Sequence, residues 1–499
     1  MNVETSNPTK THLSTETEQL SFSLDHELLI NALDEATKRA RHFHKSILAS
    51  LTQKFVWHDT VQAFKGARQA ELGECFFWEQ PEEQTALIGI GSATSIETSE
   101  TTCFTDSATR WRDLMRDAVI CYTAGTEHIP GSGPVMFGGF AFDTLSPRTE
   151  TWTGFPDGLL ILPRFLLSYD AQYVTLTINC LMQATASTEL QAEQIEEDLC
   201  QLQTAISLSA NISGEQSIAH YSIHEHRPAS EWTNMVGGVI EKIRQGTFEK
   251  VVLARDIQLK LNDPSETFDI SATLLRLREQ YPGAYIFAIQ RGERFFTGAT
   301  PERLVLAQNG QIHTMALAGT VPRGETELED AQLGAELLKS EKNINEHVIV
   351  VTTVQEALKS HCTNVHVSAT PQLLKLKNVQ HLQTPISGDL IPGRCILDVM
   401  SELHPTPAVG GFPRDAALEE IRNAEQLDRG WYAGPLGWIG ASGHGEFAVA
   451  LRSGLVDGNR ATLFAGCGIV SSSDPQTEYA ESWWKFQVML RGLGDNNQG

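Results

Sequence analysis

Cysteine is sparse in this chain, and its cysteines form no recognisable motif. The 499 residues include eight cysteines, which are scattered without a CxxC pair or the spacing of a zinc site. In a chain of this length, that pattern is typical of reduced, mostly buried thiols and argues against a disulfide framework. We therefore expect a protein of the cytosol.

Long hydrophobic runs are also missing. No stretch approaches the roughly 20 apolar residues that a membrane-spanning helix needs. The first residues also lack the basic-then-apolar pattern of a secretory signal. These two absences predict a soluble, cytoplasmic protein without a membrane partner.

Basic residues are in deficit. The chain has 38 Lys and Arg against 62 Asp and Glu, which gives a formal net charge of −24 at pH 7. Because like charges repel, this balance argues against nucleic acid or an anionic membrane surface as a partner. A small anionic substrate remains compatible with it, provided that its site contains local cations or a metal ion.

Composition divides the chain into three parts. Residues 1–22 are rich in Thr, Ser and Glu without apolar periodicity, and we expect them to be disordered. The sequence turns polar around 211–228, which predicts a linker. That linker would join an N-terminal half, residues 23–215, to a C-terminal half, residues 225–492.

The hydrophobic periodicity predicts an α+β fold. Strand-like runs joined by tight turns, such as the hairpin signal Asn309-Gly310, surround long helices and do not form βαβ units. One long helix is predicted over 328–360, with Glu346 off its buried stripe. A continuous strand over 446–455 is predicted to reach a second strand through a turn at Asp457-Gly458-Asn459.

The last predicted helix offers a candidate metal site. The pair Asp474-Pro475 suits the N-cap and the first helical position. Glu478, Glu481 and Lys485 then follow at spacings of three and four, so they share one helix face. Two carboxylates beside the glycine-rich segment 466–468 could hold a divalent cation through oxygen. The alternative is a solvated acidic face, and spacing alone leaves both possibilities open.

Eight blocks occur in a fixed order between about residues 248 and 490: FEKVVLARD, GATPERLV, ALAGTVPRG, LLKSEKNINEHVIVV, LHPTPAVGGFPRDAAL, WYAGPLGWIG, ALRSGLV and FAGCGIVSSSDPQTEYAESWWK. Together they resemble the chorismate-utilising enzymes, which include isochorismate synthases, salicylate synthases and component I of anthranilate and aminodeoxychorismate synthases. The N-terminal half is similar to the more variable half of that family through FFWEQPEEQTALIGIGSA, FGGFAFD and LPRF. The resemblance implies a chorismate-binding fold like that of anthranilate synthase component I, with large antiparallel sheets flanked by helices.

Isochorismate synthases, and the menaquinone type among them, resemble the chain best and imply roles for particular residues. Their general base is a lysine in the KVVL strand and their general acid is the glutamate of the TPE motif, which are Lys250 and Glu302 here. The implied metal ligands are Glu346 of the EH motif and Glu481 of the C-terminal ExxE motif, with Glu478 close by. The implied substrate-binding residues are Tyr432, Arg452, Gly468 and Lys485, with Gly466 and Ala408 beside them.

The resemblance also implies Mg²⁺ as the cofactor and chorismate as the substrate. In an acidic protein the two substrate carboxylates need neutralising, one by Mg²⁺ and one by Arg452. Lys250 could activate water only when neutral, and Glu302 could protonate a leaving hydroxyl only if it keeps its proton near neutrality. A base and an acid on opposite sides of the ring suit attack of water at C2 with loss of the C4 hydroxyl.

The subfamily rests on fewer residues. Lys250 argues against the family members that use ammonia, so no glutaminase partner is expected. The resemblance to isochorismate synthases implies a monomer or homodimer. Ala408 stands where salicylate synthases tend to carry threonine. Asn343 replaces the usual aspartate of the family beside the metal site. The alternatives are an isochorismate synthase of a siderophore pathway, a salicylate synthase that also eliminates pyruvate, and a binding module without activity.

Overall fold

A computed structural model of the chain describes residues 24–56, 59–127, 129–171, 173–210, 219–375 and 379–494. The predicted disordered segment, and residues 211–218 of the predicted linker, lie outside these described residues. The helices are α1 His26–Phe43, α2 Thr60–Gln69, α3 Cys103–Arg116, α4 Thr188–Ala210, α5 Ala229–Arg244, α6 Ile270–Gln280, α7 Glu327–Leu337, α8 Glu341–Lys359, α9 Ile396–Leu403, α10 Arg414–Glu425 and α11 Pro475–Leu493.

The strands of the N-terminal half are β1 Ile47–Phe55, β2 Cys75–Gln80, β3 Thr85–Ile90, β4 Thr94–Thr98, β5 Val119–Tyr122, β6 Val135–Phe140, β7 Gly158–Leu162, β8 Phe165–Asp170 and β9 Tyr173–Met182. Those of the C-terminal half are β10 Tyr221–Glu225, β11 Lys250–Leu261, β12 Tyr285–Arg291, β13 Arg294–Thr300, β14 Arg303–Gln308, β15 Gln311–Pro322, β16 Cys362–Val367, β17 Gln372–Lys375, β18 Val379–Leu390, β19 Gly411–Phe412, β20 Pro435–Gly440, β21 Gly445–Val449, β22 Ser453–Asp457 and β23 Arg460–Ile469.

Within the described ranges these strands form two sheets. The large sheet has the order β10-β11-β23-β22-β13-β12-β2-β3-β8-β9-β1-β5, with β19 paired to β11. The small sheet has the order β16-β18-β15-β14-β21-β20-β6-β7-β4, with β17 paired to β18. Each sheet combines both predicted halves, because β12 pairs with β2 and β20 pairs with β6. The two halves are therefore joined by main-chain hydrogen bonds.

Alternation along the strands lets the large sheet bury both of its faces. On β2, Phe76 faces the small sheet and stacks on Phe137 of β6 at 4.3 Å between ring centroids. The next residue, Phe77, points to the opposite face and meets Phe64 of α2 at 5.5 Å. This period of two places one core between the sheets and a second core beneath the helices. In the described part of the chain, no helix is long and apolar enough to cross a membrane.

The hairpin predictions are confirmed. Asn309 and Gly310 both have positive φ, 53° and 76°, and join β14 to β15 with Gln308 opposite Gln311. This is the backbone that a two-residue hairpin prefers. Asp457 likewise pairs with Arg460 across the second turn.

The predicted linker includes one strand. Residues 221–225 form β10, the edge of the large sheet, where Ser222 and His224 are exposed. An edge strand with polar residues has the composition of a linker, which explains the difference.

The single helix predicted over 328–360 is wrong. The structure has α7 and α8 instead, separated at residues 338–340. Ser340 begins α8 by accepting a hydrogen bond from the Asn343 N–H at 3.4 Å. The apolar residues keep their helical spacing through the break, so periodicity alone predicts one helix. The N-cap residue Ser340 is the sequence feature that marks the start of the second helix.

The continuous strand predicted over 446–455 is also wrong. Its first part is β21 of the small sheet and its second part is β22 of the large sheet, so the chain crosses between the sheets at 450–452. Arg452 has φ 49°, a left-handed backbone that is rare for a side chain of this size. The Ser453 hydroxyl closes the crossover by donating to the Ala450 carbonyl at 2.9 Å.

The loop before Tyr432 packs against the N-terminal half. Asp428 accepts a hydrogen bond from the Thr149 N–H at 2.6 Å, and the Trp152 indole donates to the Asp428 carbonyl at 3.0 Å. Gly430 has φ 49°, and a Cβ at this position would lie 2.0 Å from Trp152 Cδ2. Only glycine fits both the backbone and the space.

Substitution of Gly430 by alanine should therefore destabilise the protein strongly. We expect Gly430→Ala to lower the free energy of unfolding by roughly 2–4 kcal/mol, through backbone strain and a clash with Trp152. Gly443→Ala is the matched control, because Gly443 has φ 82° but no atom within 4 Å of the added Cβ. The control should lose about 1 kcal/mol. Equal thermal midpoints for the two variants would contradict this account.

Candidate active site

The pairing of β11 with β23 brings the first candidate residues together. Lys250 is the first residue of β11, and Val252 lies opposite Gly468 on β23. A Cβ on Gly468 would lie 3.3 Å from Lys250 Cε, and a Cβ on Gly466 would lie 3.3 Å from the Tyr432 hydroxyl oxygen. The two glycines therefore leave room on β23 for the side chains of Lys250 and Tyr432.

Lys250 forms an ion pair with Glu346 of α8. The Nζ atom lies 3.3 Å from Glu346 Oε1, and the two side chains are 17% and 32% exposed. This contact joins the predicted base to a predicted metal ligand from another sequence block. Asn343, the departure from the family pattern, lies one turn earlier on α8 and packs against Gly319 of β15.

The predicted helix face of α11 exists and faces the end of β23. Lys485 Nζ lies 2.6 Å from Glu481 Oε1 and donates to the Gly466 carbonyl at 2.7 Å. Glu478 accepts from the Ser473 hydroxyl at 2.8 Å, and burial raises the pKa of its carboxyl. This face is half-buried and tied to the strand, and the metal site on it stays a prediction.

The carboxylates of Glu478 and Glu481 could contribute to a metal site. Their oxygens and the Cys467 sulfur all lie within 4.8 Å of one another. Burial raises the pKa of the Cys467 thiol to about 12, so a neutral thiol leaves the two carboxylates as the charged donors. Oxygen donors of this kind suit a hard divalent cation. Glu346 is instead paired with Lys250, although its second carboxylate oxygen offers a further donor.

Arg452 stands at the crossover between the two sheets. Its carbonyl accepts from the Ala299 N–H at 3.1 Å, which ties the left-handed residue to β13. Burial lowers the pKa of the guanidinium, while the nearby Tyr432 and Glu481 oppose that shift. The crossover thus places a buried cation close to the face of α11.

Glu302 lies just before β14 and is fixed through its main chain. Its N–H donates to the Thr300 hydroxyl at 3.3 Å, and its carbonyl accepts from the Val449 N–H at 2.9 Å. Burial raises the pKa of Glu302 to about 7, against the opposing positive charges of Lys250, Arg452 and Lys485. The carboxyl is therefore surrounded by cations and still keeps its proton near neutrality.

His381 of β18 belongs to the same cluster, although no sequence motif indicated it. Burial lowers the pKa of His381 to about 4, and the charges of Lys485, Lys250 and Arg452 lower it as well. The imidazole is thus neutral at pH 7 and near the same three cations as Glu302. The sequence offers only an ionisable residue in a strand-like run, which is a weak signal.

Ala408 lies in the loop between α9 and β19. The structure places this loop against the strand of Lys250, because Val252 N–H donates to the Gly410 carbonyl at 2.9 Å and Phe412 pairs with Lys250. Ala408 itself is half-buried. The loop that carries Ala408 therefore lies beside β11, the strand of Lys250.

Comparison with known proteins shows the family. Residues 32–494 match the profile described as chorismate binding enzyme. The chain belongs to the chorismate-binding enzyme family. It is 34% identical over 461 residues to isochorismate synthase MenF of Bacillus subtilis, covering 92% of this chain and 96% of that protein. It is 37% identical over 470 residues to the salicylate biosynthesis isochorismate synthase of Pseudomonas aeruginosa, covering 93% of this chain and 94% of that one.

A solved structure confirms the predicted fold class of this chorismate-binding enzyme. MenF, the menaquinone-specific isochorismate synthase from Escherichia coli, has a TM-score of 0.72 at 27% identity, covering 94% of this chain and 100% of that one. The antiparallel sheets flanked by helices agree with the fold expected from the resemblance.

The raised pKa of Glu302 can be observed directly. We expect the carboxyl to be protonated below pH 7 and to ionise as the pH rises through about 7, because its folded-state pKa lies above the ordinary value of 4.5. Infrared difference spectra between the wild type and Glu302→Gln should contain a protonated carboxyl band at low pH that disappears across that range. A band already lost by pH 5 would contradict the burial argument.

Proposed function

We propose that this chorismate-binding enzyme is an isochorismate synthase, which interconverts chorismate and isochorismate. The observation that supports this most is Glu302, a carboxyl that keeps its proton to about pH 7 beside Lys250, the candidate base. An acid and a base close to one another suit exchange of a hydroxyl, which needs a proton removed from water and a proton given to the leaving group. Similarity to two isochorismate synthases over more than nine tenths of the chain supports the same activity.

Lys250 and Glu302 would divide the proton transfers. A neutral Lys250 would take a proton from the water that attacks C2, which requires it first to lose the charge that pairs it with Glu346 in this structure. Glu302 would give its proton to the hydroxyl that leaves C4 as water. The two ring double bonds each move by one position, from C1–C2 and C5–C6 to C1–C6 and C4–C5, so atoms and charge balance. Afterwards Lys250 is protonated and Glu302 is ionised, and return of the proton from one to the other restores the starting state for either direction.

The remaining cations would bind the substrate. Arg452 and Lys485 are half-buried positive groups within a protein of net charge −24. They would attract a dianionic substrate at the site, although the protein as a whole is negative. Arg452 can hold a carboxylate through two parallel N–H donors. The Tyr432 hydroxyl is a further donor, placed by the gap at Gly466.

Magnesium fits the donors that remain. Glu478 and Glu481, whose carboxylate oxygens lie close together, would hold Mg²⁺. Glu346 would be the third ligand, and it would have to turn an oxygen from Lys250 toward the ion. When bound, the ion would supply positive charge for the second substrate carboxylate.

The pathway is the finer part of the proposal. We assign the enzyme to menaquinone biosynthesis and the cytoplasm, supported by its likeness to the menaquinone-specific structure over 94% of this chain. The relative of the salicylate pathway, at 37% identity, supports supply of isochorismate to salicylate as a second candidate. Ala408 argues against a chain that makes salicylate itself.

No glutaminase partner is proposed, and the active form is a monomer or homodimer.

Product analysis tests the activity. Purified protein incubated with chorismate and Mg²⁺ should form isochorismate alone, and it should form none when the metal is chelated. Lys250→Ala should lose about 10²–10⁴-fold in kcat, because it removes only the base, while chorismate still binds. Salicylate and pyruvate among the products would reassign the enzyme to a salicylate synthase. Absence of turnover would leave a binding module.

The metal assignment has its own test. We expect Glu481→Ala to raise the Mg²⁺ concentration for half-maximal activity at least tenfold, since a lost ligand costs affinity of that order or more. Gln476→Ala is the control, because Gln476 is an exposed residue of the same helix. Identical Mg²⁺ titrations for the two variants would remove Glu481 from the metal site.

A further inference from the structure

A buried ion pair lies behind the candidate site and touches neither Lys250 nor Glu302. Arg429 and Glu425 are only 3% and 1% exposed at their side chains. Arg429 Nε donates to Glu425 Oε2 at 2.8 Å, and a second, shorter bond joins the same guanidinium to the other carboxylate oxygen. A pair so deeply buried costs desolvation, and apolar residues of similar volume often replace such pairs without loss of stability. Its other contacts therefore need explanation.

Those contacts lie on β11, just beyond Lys250. One edge of β11 pairs with β23 along Val251 to Lys260. The other edge pairs with β19 only at Lys250 and Val251, and with β10 only from Ile257 onward. Between these two pairings, no strand among the described residues lies beside this second edge at residues 252–256, and the Val252 N–H donates to the loop carbonyl of Gly410.

Arg429 and Glu425 fill this gap. The Val252 carbonyl accepts from Arg429 at 2.7 Å, and the Ala254 N–H donates to Glu425 Oε1 at 2.7 Å. Val252 and Ala254 are alternate residues, so their groups point to the same edge of β11. The two side chains thus make hydrogen bonds that a neighbouring strand would otherwise make, and they satisfy main-chain groups that would be costly to leave unpaired.

Arg429 also joins β11 to two other parts of the site, one through its side chain and one through its main chain. It donates to the Val409 carbonyl at 3.3 Å, which fixes the loop that carries Ala408. The Arg429 carbonyl accepts from the Tyr432 N–H at 2.9 Å, so its main chain sets the turn that leads to Tyr432. Phe142 of the N-terminal half covers the guanidinium, with 4.1 Å between its ring centroid and the Arg429 carbon.

We propose that Arg429 and Glu425 are positioning residues, which set the place of Lys250 relative to the Ala408 loop and the Tyr432 turn. This inference rests on the proposed function, because it acts through Lys250 as the base. Arg452 and Lys485, assigned to the substrate carboxylates, come from other elements and do not touch the pair. Loss of the pair therefore displaces the base more than it weakens substrate binding, and displacement of a reacting group by about 1 Å costs on the order of 10²-fold in rate.

Two variants test this. Arg429→Lys keeps the charge, but a single ammonium cannot donate to Glu425, Val252 and Val409 with the geometry of a guanidinium. Glu425→Gln keeps an acceptor oxygen for the Ala254 N–H while removing the charge. For both we expect kcat to fall at least tenfold while KM for chorismate changes less than about threefold, measured on protein whose circular dichroism matches the wild type.

The control is a second ion pair of the same helix, α10. Glu420 is 8% exposed and meets Lys242 Nζ at 2.8 and 2.9 Å, without any hydrogen bond to β11. Glu420→Gln should lower the thermal midpoint and leave kcat unchanged, which is the behaviour of a pair that serves stability alone.

Each outcome decides the question. If Arg429→Lys and Glu425→Gln fold and keep the wild-type kcat, as the control Glu420→Gln should, the inference is overturned. It is also overturned if neither variant folds, because the pair is then needed for stability. A fall confined to KM would also overturn it, since that result points to substrate binding. If the wild type converts no chorismate in the same assay, the proposed function fails and the inference fails with it. Wild-type turnover together with unaffected variants refutes the inference alone.

Discussion

The antiparallel pairing of β11 with β23 is the contact on which the candidate site depends. It brings Lys250 beside Gly468, and it places Gly466 where the Tyr432 hydroxyl needs space. A slip of one residue would turn every side chain of β11 to the opposite face. The register is protected by burial, because Val251, Leu253, Ile257 and Leu259 are alternate residues on one face of β11 and all four lie in hydrophobic cores. Catalytic geometry is thus a consequence of ordinary hydrophobic burial.

Burial and charge act on two titratable groups of this cluster in opposite directions. Desolvation favours the neutral form of any ionisable group, so it raises the pKa of Glu302 and lowers that of His381. The cations Lys250, Arg452 and Lys485 lower the pKa of both groups, and therefore oppose burial at the carboxyl but reinforce it at the imidazole. The result at neutral pH is a carboxyl near its pKa, which still carries its proton about half of the time, and a neutral histidine beside the same three cations. The net charge of −24 for the whole chain gives no indication of this local positive charge.

The sequence predicted those features that depend on neighbouring residues. The Asn309-Gly310 hairpin, the Asp474 cap and the face of Glu478, Glu481 and Lys485 each follow from local geometry, and the structure has all of them. The family resemblance added the composition of the site, since Lys250 and Glu302 carry no periodic signal of their own.

What the sequence missed depends on contacts between distant segments. The break at Ser340 and the crossover before Arg452 both occur within continuous apolar patterns. At the crossover the pattern continues because β21 and β22 are both buried, one in the small sheet and one in the large sheet. The pairing of Lys250 with Glu346 joins two blocks that are 96 residues apart, and no spacing rule reaches that far. His381 became recognisable only when β18 placed it near three cations from other elements.

The N-terminal half takes part in the site through the same kind of distant contact. Its segment around Trp152 holds the loop at Asp428, and the Phe142 N–H donates to the Gly430 carbonyl at 2.8 Å. That loop contains Arg429 and leads directly to Tyr432. Sequence blocks of the catalytic half therefore define which groups are present, whereas the variable half defines where this loop lies. Variation there is compatible with function as long as the surfaces that meet Asp428 and Gly430 keep their shape.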